Sequence, residues 1–599
     1  MSAVPEDLEL ARGFPTATAQ AWRSLVSDVL SRSGDGGDPV EALSHRNYDG
    51  IRLRPLYTAA DTPAENAPPG ATPFTRGATR SGATTTGWDV RQRHANPDPA
   101  RTREAVLADL AGGATSLWLV VGEGGIAVDD LADALDGVHL DLAPIALDAG
   151  PSTLDAATAL LTLGERKGVA GAELAGTLGA DPIGTRARTG APADIGLLLT
   201  LSEQSKSLRK LCVATVDATV YHEAGAGDAV EVAIATSVGV AYLRALTDGG
   251  LSVDDALDVI EFRFAVTAEQ FASIAKLRAA RRIWGRVAEL SGASGSRRGQ
   301  RQHAVTSAAM MTKRDPWVNL LRTTIACFAA AVGGAGAVTV LPFDSAIGLS
   351  DDFARRIARN THTVLHDESS LARVIDPAGG SWYVETFTDA IAEVAWEKFT
   401  SIERAGGALS ALDDGTLSEL IAVGRDARAD DIGHRRAPII GVSEFAFPDE
   451  PAVIRAEAPV RAGGGPLETH RWAEQFEALR ERAEAADPRP SVFLATLGPV
   501  AAHGARLSFA TNLFQAAGVR VVTGTPDEFA SSGATVACLC SSDKVYADQA
   551  EAAIETMAPA RYLWLAGQGE YEGVDGCVYA GCDAVAVLRT TLDASGVAR

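Results

Sequence analysis

Four small groups of residues in this chain have the types and spacing to do chemistry. Gly122-Glu123-Gly124-Gly125-Ile126-Ala127 follows an apolar run and precedes a helical pattern, with Asp148 about 20 residues further on. Such a turn can bring a pyrophosphate to a helix N-terminus while the acid holds a ribose hydroxyl. Glycine also serves any tight strand-to-helix turn, and the chain has 59 glycines, so turn formation is the preferred reading. His362 and His366 lie four apart and share one helix face. A zinc site would need a third ligand, and Thr363 stands where a zinc protease carries glutamate; capping or pairing with Asp367 and Glu368 is the simpler role. Lys276, Arg278, Arg281, Arg282 and Arg286, with Arg297 and Arg298 beyond, make a basic helix face. It suits phosphates, although a solvated or partner-facing surface is preferred. Tyr221-His222-Glu223 ends an apolar run, where a barrel enzyme would place an acid–base group.

The elements that must position these groups follow from periodicity. Short β-branched runs recur at 116–121, 142–147, 211–216, 261–266, 303–307 and 338–343. Helical patterns lie between them at 128–135, 229–246, 268–290 and 316–332. Strands alternating with helices read as a parallel sheet, and this many units suit a (β/α)8 barrel over 111–400. Residues 401–490 read as a linker region with helices, including the glycine-rich stretch 461–466. Runs at 491–497, 519–523, 535–540, 561–566 and 576–580 then predict a flavodoxin-like, doubly wound domain over 491–599. Residues 1–110 read as an extended arm. Phe14, Trp22, Leu25 and Leu30 suggest one amphipathic helix, and the Pro/Gly-rich stretch 64–87 is suited to wrapping another surface. The fold class is α/β throughout.

Bulk properties narrow the function. A net charge of −23 argues against nucleic acid or an anionic membrane as the main partner. No run of 18 apolar residues is present, and the first ten residues lack a signal-peptide pattern. The six cysteines have neither zinc spacing nor a disulfide framework, so a reducing cytoplasm is expected.

Several unusual stretches, in order, resemble the B12-dependent acyl-CoA mutase family. They are Gly50-Ile51 with Pro55-Leu56-Tyr57-Thr58; Pro69-Gly70 with Pro73-Phe74-Thr75-Arg76-Gly77; Trp88-Asp89-Val90-Arg91-Gln92; and Glu223-Ala224-Gly225-Ala226. The match continues through Ala275-Lys276-Leu277-Arg278 with Trp284, Arg356-Ile357-Ala358-Arg359-Asn360-Thr361, and Asp376-Pro377 with Gly379-Gly380-Ser381-Trp382-Tyr383-Val384-Glu385. The resemblance implies a barrel that encloses CoA along its axis, followed by a cobalamin domain. In catalytic members a DxHxxG loop after that domain's first strand supplies the cobalt-binding histidine and its orienting carboxylate.

This chain departs from that pattern. Its loop has His503, but Ala501 stands for the aspartate and Arg506 for the glycine. Ser541 is followed by Asp543 rather than leucine, and Gly567-Gln568-Gly569 replaces a glycine pair. His503, Ser541 and Gly567 are therefore remnants of a cofactor site. In the barrel, Thr219 and Val220 occupy the offsets of the family's catalytic Tyr-His pair, no arginine lies near 194–200 where a substrate-carboxylate strand is expected, and bulky Leu117, Trp118 and Leu119 suit a filled barrel. Such losses resemble the small, non-catalytic subunits of bacterial heterodimeric methylmalonyl-CoA mutases. No catalytic or metal residue is expected here, and the degenerate cobalamin domain is expected to hold no cofactor. Adenosylcobalamin and acyl-CoA would belong to the large subunit, which interconverts (R)-methylmalonyl-CoA and succinyl-CoA in propionate metabolism. The alternatives are a catalytically competent mutase, or a subunit of an isobutyryl- or ethylmalonyl-CoA mutase.

Overall fold

A computed structural model describes Gly13 and residues 17–32, 37–62, 67–169 and 173–598. Phe14, Ala64 and the first ten residues lie outside the described residues. Eight parallel strands close into a barrel: β1 (Asp89–His94), β2 (Ser116–Val120), β3 (Ile145–Asp148), β4 (Ala175–Ala180), β5 (Lys210–Asp217), β6 (Ile260–Val266), β7 (Gln302–Thr306) and β8 (Ala337–Thr339). β8 pairs with β1 to complete the ring.

Two strands differ from expectation. β1 lies inside the stretch read as the arm, so the barrel begins at Asp89 rather than 111. Its sequence, DVRQRH, gives no apolar run because it turns arginines inward: Arg91 pairs with Glu261 on β6 and Arg93 lies over the Trp118 ring of β2. β4, AGTLGA, replaces the strand expected near 194–200, where the chain forms the helix Leu197–Gln204. Gly176 and Gly179 have φ of +122° and +72°, and a Cβ at either would lie 1.9 or 2.0 Å from a carbonyl oxygen of β3. Only glycine fits there, and that requirement hides the strand from a propensity reading.

The basic face on the helix Gln270–Leu290 is divided: Lys276, Arg278 and Arg281 are buried, which corrects the expectation of a solvated surface for these three, while Arg282 and Arg286 reach solvent. Lys276 Nζ reaches Asp228 Oδ1 at 2.9 Å and Glu231 Oε2 at 2.7 Å. Arg278 pairs with Asp376 and Glu385. Arg281 donates to the carbonyl oxygens of Phe74, Thr75 and Gly333, clamping the arm onto the barrel. Asp49 does the same from the arm's side, accepting the N–H groups of Ala229 and Val230 at the start of the helix Asp228–Asp248. That helix is the one among the described residues long and apolar enough to cross a membrane, and most of it is packed inside the protein. The arm's first helix, Ala19–Arg32, buries no residue, and Leu25 and Val29 are 68% and 61% exposed.

After the barrel, the helix Glu474–Ala485 bridges two bodies. Glu477 accepts from Lys313 N on the barrel side at 2.6 Å, while Phe476, Leu479 and Ala483 pack against the second sheet. That sheet comprises β9 (Ser491–Thr496), β10 (Arg520–Gly524), β11 (Val536–Cys540), β12 (Tyr562–Ala566) and β13 (Gly576–Val578). Its order, β10-β9-β11-β12-β13 and all parallel, is the flavodoxin arrangement.

Candidate functional site

Alternate residues of a barrel strand point to its axis, and here those residues fill it. Arg91 Nη1 on β1 meets Glu261 Oε1 on β6 at 2.8 Å. Arg263 Nη1 meets Asp217 Oδ2 at 3.0 Å and donates from Nε to His303 Nδ1 at 3.2 Å. An accepting Nδ1 leaves the proton on Nε2, which donates to Thr339 Oγ1 at 2.8 Å; Thr339 in turn donates to the Arg91 carbonyl. Trp118 sits at the centre, with Arg263 4.1 Å above its ring and His303 edge-on at 5.4 Å, packed against Ala146, Val305 and Leu341. The space left among Asp148, Asp181, Asp217 and Arg263 is about 10 Å³, roughly one water. Burial, reinforced by Asp217, raises the Asp181 carboxyl to about 7. A CoA chain has no path along this axis.

The four candidate groups do not converge. Tyr221, His222 and Glu223 occupy one short helix, Thr219–Glu223, where successive side chains diverge by roughly 100°. His222 bonds Ser307 Oγ at 2.7 Å and lies 3.5 Å from Glu231, whereas the Tyr221 hydroxyl is buried without a hydrogen-bond partner among the described residues. His362 Nδ1 accepts from Trp88 Nε1 at 3.0 Å, and His366 bonds Asp367. Among the described residues no three His, Cys, Asp or Glu side chains converge as metal ligands. The Gly122–Ala127 turn is closed by its own backbone, Gly122 N donating to Ile126 O. Arg461 lies against Gly124 and donates to Asp148 Oδ1 at 2.6 Å, so Asp148 is engaged by the linker rather than free for a ribose hydroxyl.

The second sheet positions His503, Ser541 and Gly567 at the C-terminal ends of β9, β11 and β12. Gly498, at φ +70°, turns the chain after β9, and the helix Val500–Ala516 starts at once. His503 is therefore a helical residue, 9% exposed, with Nδ1 lacking a hydrogen-bond partner among the described residues. Arg506, three residues on and so on the same helix side, crosses the groove. It donates to Ser541 O at 2.7 Å and to Asp543 Oδ1 at 2.6 Å. A Cβ on Gly567 would meet the Arg506 guanidinium at 2.7 Å. Tyr546 closes the groove beneath: its hydroxyl accepts from Ser541 N at 2.7 Å and lies 2.9 Å from the carbonyl oxygens of Leu539 and Ala566. The Ser541 hydroxyl donates to Leu497 O at 2.8 Å. Arg506 and Tyr546 thus fill the groove between Ser541 and Gly567, and the helical His503 has no carboxylate bonded to its Nδ1, a donor set that does not fit a cobalt-binding histidine with an orienting carboxylate. The sequence marked Arg506 as a departure but gave no sign that Tyr546 is the second plug. Replacing Tyr546 by phenylalanine leaves the buried Ser541 N–H unpaired and is expected to cost about 1–3 kcal/mol, read as a lower urea midpoint.

A closed barrel followed by a flavodoxin-order sheet defines the frame of the acyl-CoA mutases. The family model described as methylmalonyl-CoA mutase matches residues 46–121 and 119–482, ending before β9. The methylmalonyl-CoA mutase small subunit of Streptomyces virginiae is 54% identical over the full length of both chains. That of Propionibacterium freudenreichii subsp. shermanii is 38% identical over 99% of this chain and 97% of its own. The methylmalonyl-CoA mutase of Escherichia coli (strain K12) is 29% identical over 72% of this chain and 65% of its own. This chain belongs to the methylmalonyl-CoA mutase family, whose members are B12-dependent isomerases.

Proposed function

We propose that this chain is the small, non-catalytic subunit of an adenosylcobalamin-dependent methylmalonyl-CoA mutase. It pairs as a heterodimer with a large subunit that holds the cofactor and interconverts (R)-methylmalonyl-CoA and succinyl-CoA in the cytoplasm. The observation that carries this reading is Arg506 lying across the groove against Gly567 and Ser541. The Trp118-filled barrel supports it, since a substrate chain is excluded by the same kind of internal packing. The relatives named as small subunits support a partner chain, and the unburied helix Ala19–Arg32 offers it an apolar face.

His503→Ala tests the reading directly. The heterodimer carrying this substitution is expected to keep full mutase activity, and the parent chain to give no base-off, histidine-ligated cobalamin signal by electron paramagnetic resonance. Loss of activity at unchanged heterodimer yield would sink it in favour of a catalytic chain.

A further inference from the structure

One cavity meets the Gly122–Ala127 turn only at Gly124 and is otherwise walled by residues that belong to none of the four candidate groups. About 830 Å³ opens at the C-terminal mouth of the barrel, between the end of β1, the start of the helix Asp352–Thr363, and the linker around Arg455 and Arg461. That volume is within the range of small-molecule sites, roughly 300–1,000 Å³, and the barrel end is the one at which such folds bind ligands. The linker is pinned over it as a roof. Leu349 N donates to Ala456 O at 2.8 Å, Arg455 pairs with Asp344, and Arg461 pairs with Asp148.

The lining carries five arginines and three carboxylates. Arg355 and Arg455 are matched by Asp352 and Asp351. Arg93 is different. Among the described residues no carboxylate, carbonyl or hydroxyl reaches its guanidinium, which rests 5.2 Å over the Trp118 ring on the cavity wall. Burial, with Arg461 close by, lowers it to about 10. Asp148 and Glu223 offset part of that effect, but neither bonds the guanidinium, which faces a cavity large enough to admit an anion. The apolar part of the wall, with Leu341, Leu349 and Phe353, suits an organic body attached to that anion.

We propose that this cavity binds a phosphorylated small molecule of nucleotide size, with Arg93 and Arg461 receiving its phosphates. Planar guanidinium groups bind phosphate oxygens by charge-assisted pairs. The site is independent of the subunit reading, since neither His503 nor the groove of the second sheet takes part.

Equilibrium dialysis of the full-length chain, in complex with its partner as purified, tests this with ADP, inorganic pyrophosphate and adenosine as probes. ADP is expected to bind saturably, pyrophosphate more weakly and adenosine not at all, with affinity falling as potassium chloride rises. Arg93→Gln is expected to weaken ADP at least about tenfold. ADP is expected to raise the thermal midpoint of the parent and not that of Arg93→Gln. Absence of saturable ADP and pyrophosphate binding up to millimolar concentration overturns the proposal. So does equal ADP affinity in the two proteins, or an equal rise in their thermal midpoints with ADP.

Discussion

Replacing Lys276 by methionine is expected to destabilise the barrel by about 3–5 kcal/mol, the usual cost of removing one partner from a buried ion pair. Burial alone would push this ammonium down, but Asp228 and Glu231 outweigh it and hold it above its ordinary value. Lys276 and Glu231 have no exposed side-chain surface. Without the lysine two carboxylates remain beside each other, and Glu231 also serves as acceptor for Ala265 N at the end of β6. The loss therefore spreads from the helix Gln270–Leu290 into the barrel wall. The variant is expected to show a large fall in the urea midpoint followed by tryptophan fluorescence. Pairing it with Glu231→Gln should recover part of that fall, because the uncompensated charge is reduced. Strict additivity of the two single substitutions in this double-mutant cycle would contradict the account.

Acidification is expected to act with comparable force through three buried histidines. Burial holds His362 down to about 4 and His94, helped by Arg355, to about 3; His303 is lowered well below its ordinary value of 6.5. Each is neutral when folded, and the unfolded chain takes up their protons near 6.5. The stability that depends on neutral imidazoles is thus fully present above about pH 6.5 and is lost as pH falls toward 4. The shift at His362 alone corresponds to about 3 kcal/mol over that window. Protonation would also turn its Nδ1 from acceptor to donor and break the bond from Trp88. Urea midpoints measured from pH 7.5 to 4.5 should fall steeply below 6.5, and His362→Gln should flatten the descent. A variant curve parallel to the parent's would remove His362 from the titrating set.

What the residues revealed before the fold was known depended on where each strand's apolar surface lay. The runs that became β2, β3, β5, β6, β7 and β8 were legible because both their faces, or the outer one, carry aliphatic side chains. β1 was not, since arginines on its inner face imitate a loop until Glu261, 170 residues away, is brought beside Arg91. The basic face of Gln270–Leu290 was misread for the same reason: Asp376 and Glu385 lie about 100 positions along the chain, and only folding pairs them. In the second sheet the five strands and the damaged loop around His503 could be seen in one dimension. That Arg506 and Tyr546 meet across the groove could not, because their link runs through the backbone of Ser541. The cavity beside Arg93 touches the sequence reading only at Gly124, because its wall is assembled from separate regions of the chain.

The contact between Arg506 and Gly567 sets how the groove could be opened. Shortening Arg506 would take the guanidinium donor from the Ser541 carbonyl, while removing Tyr546 first would orphan the Ser541 N–H. Each single step toward an open groove therefore weakens the second sheet. The pair behaves as a two-key lock, which only a joint replacement of both side chains would open.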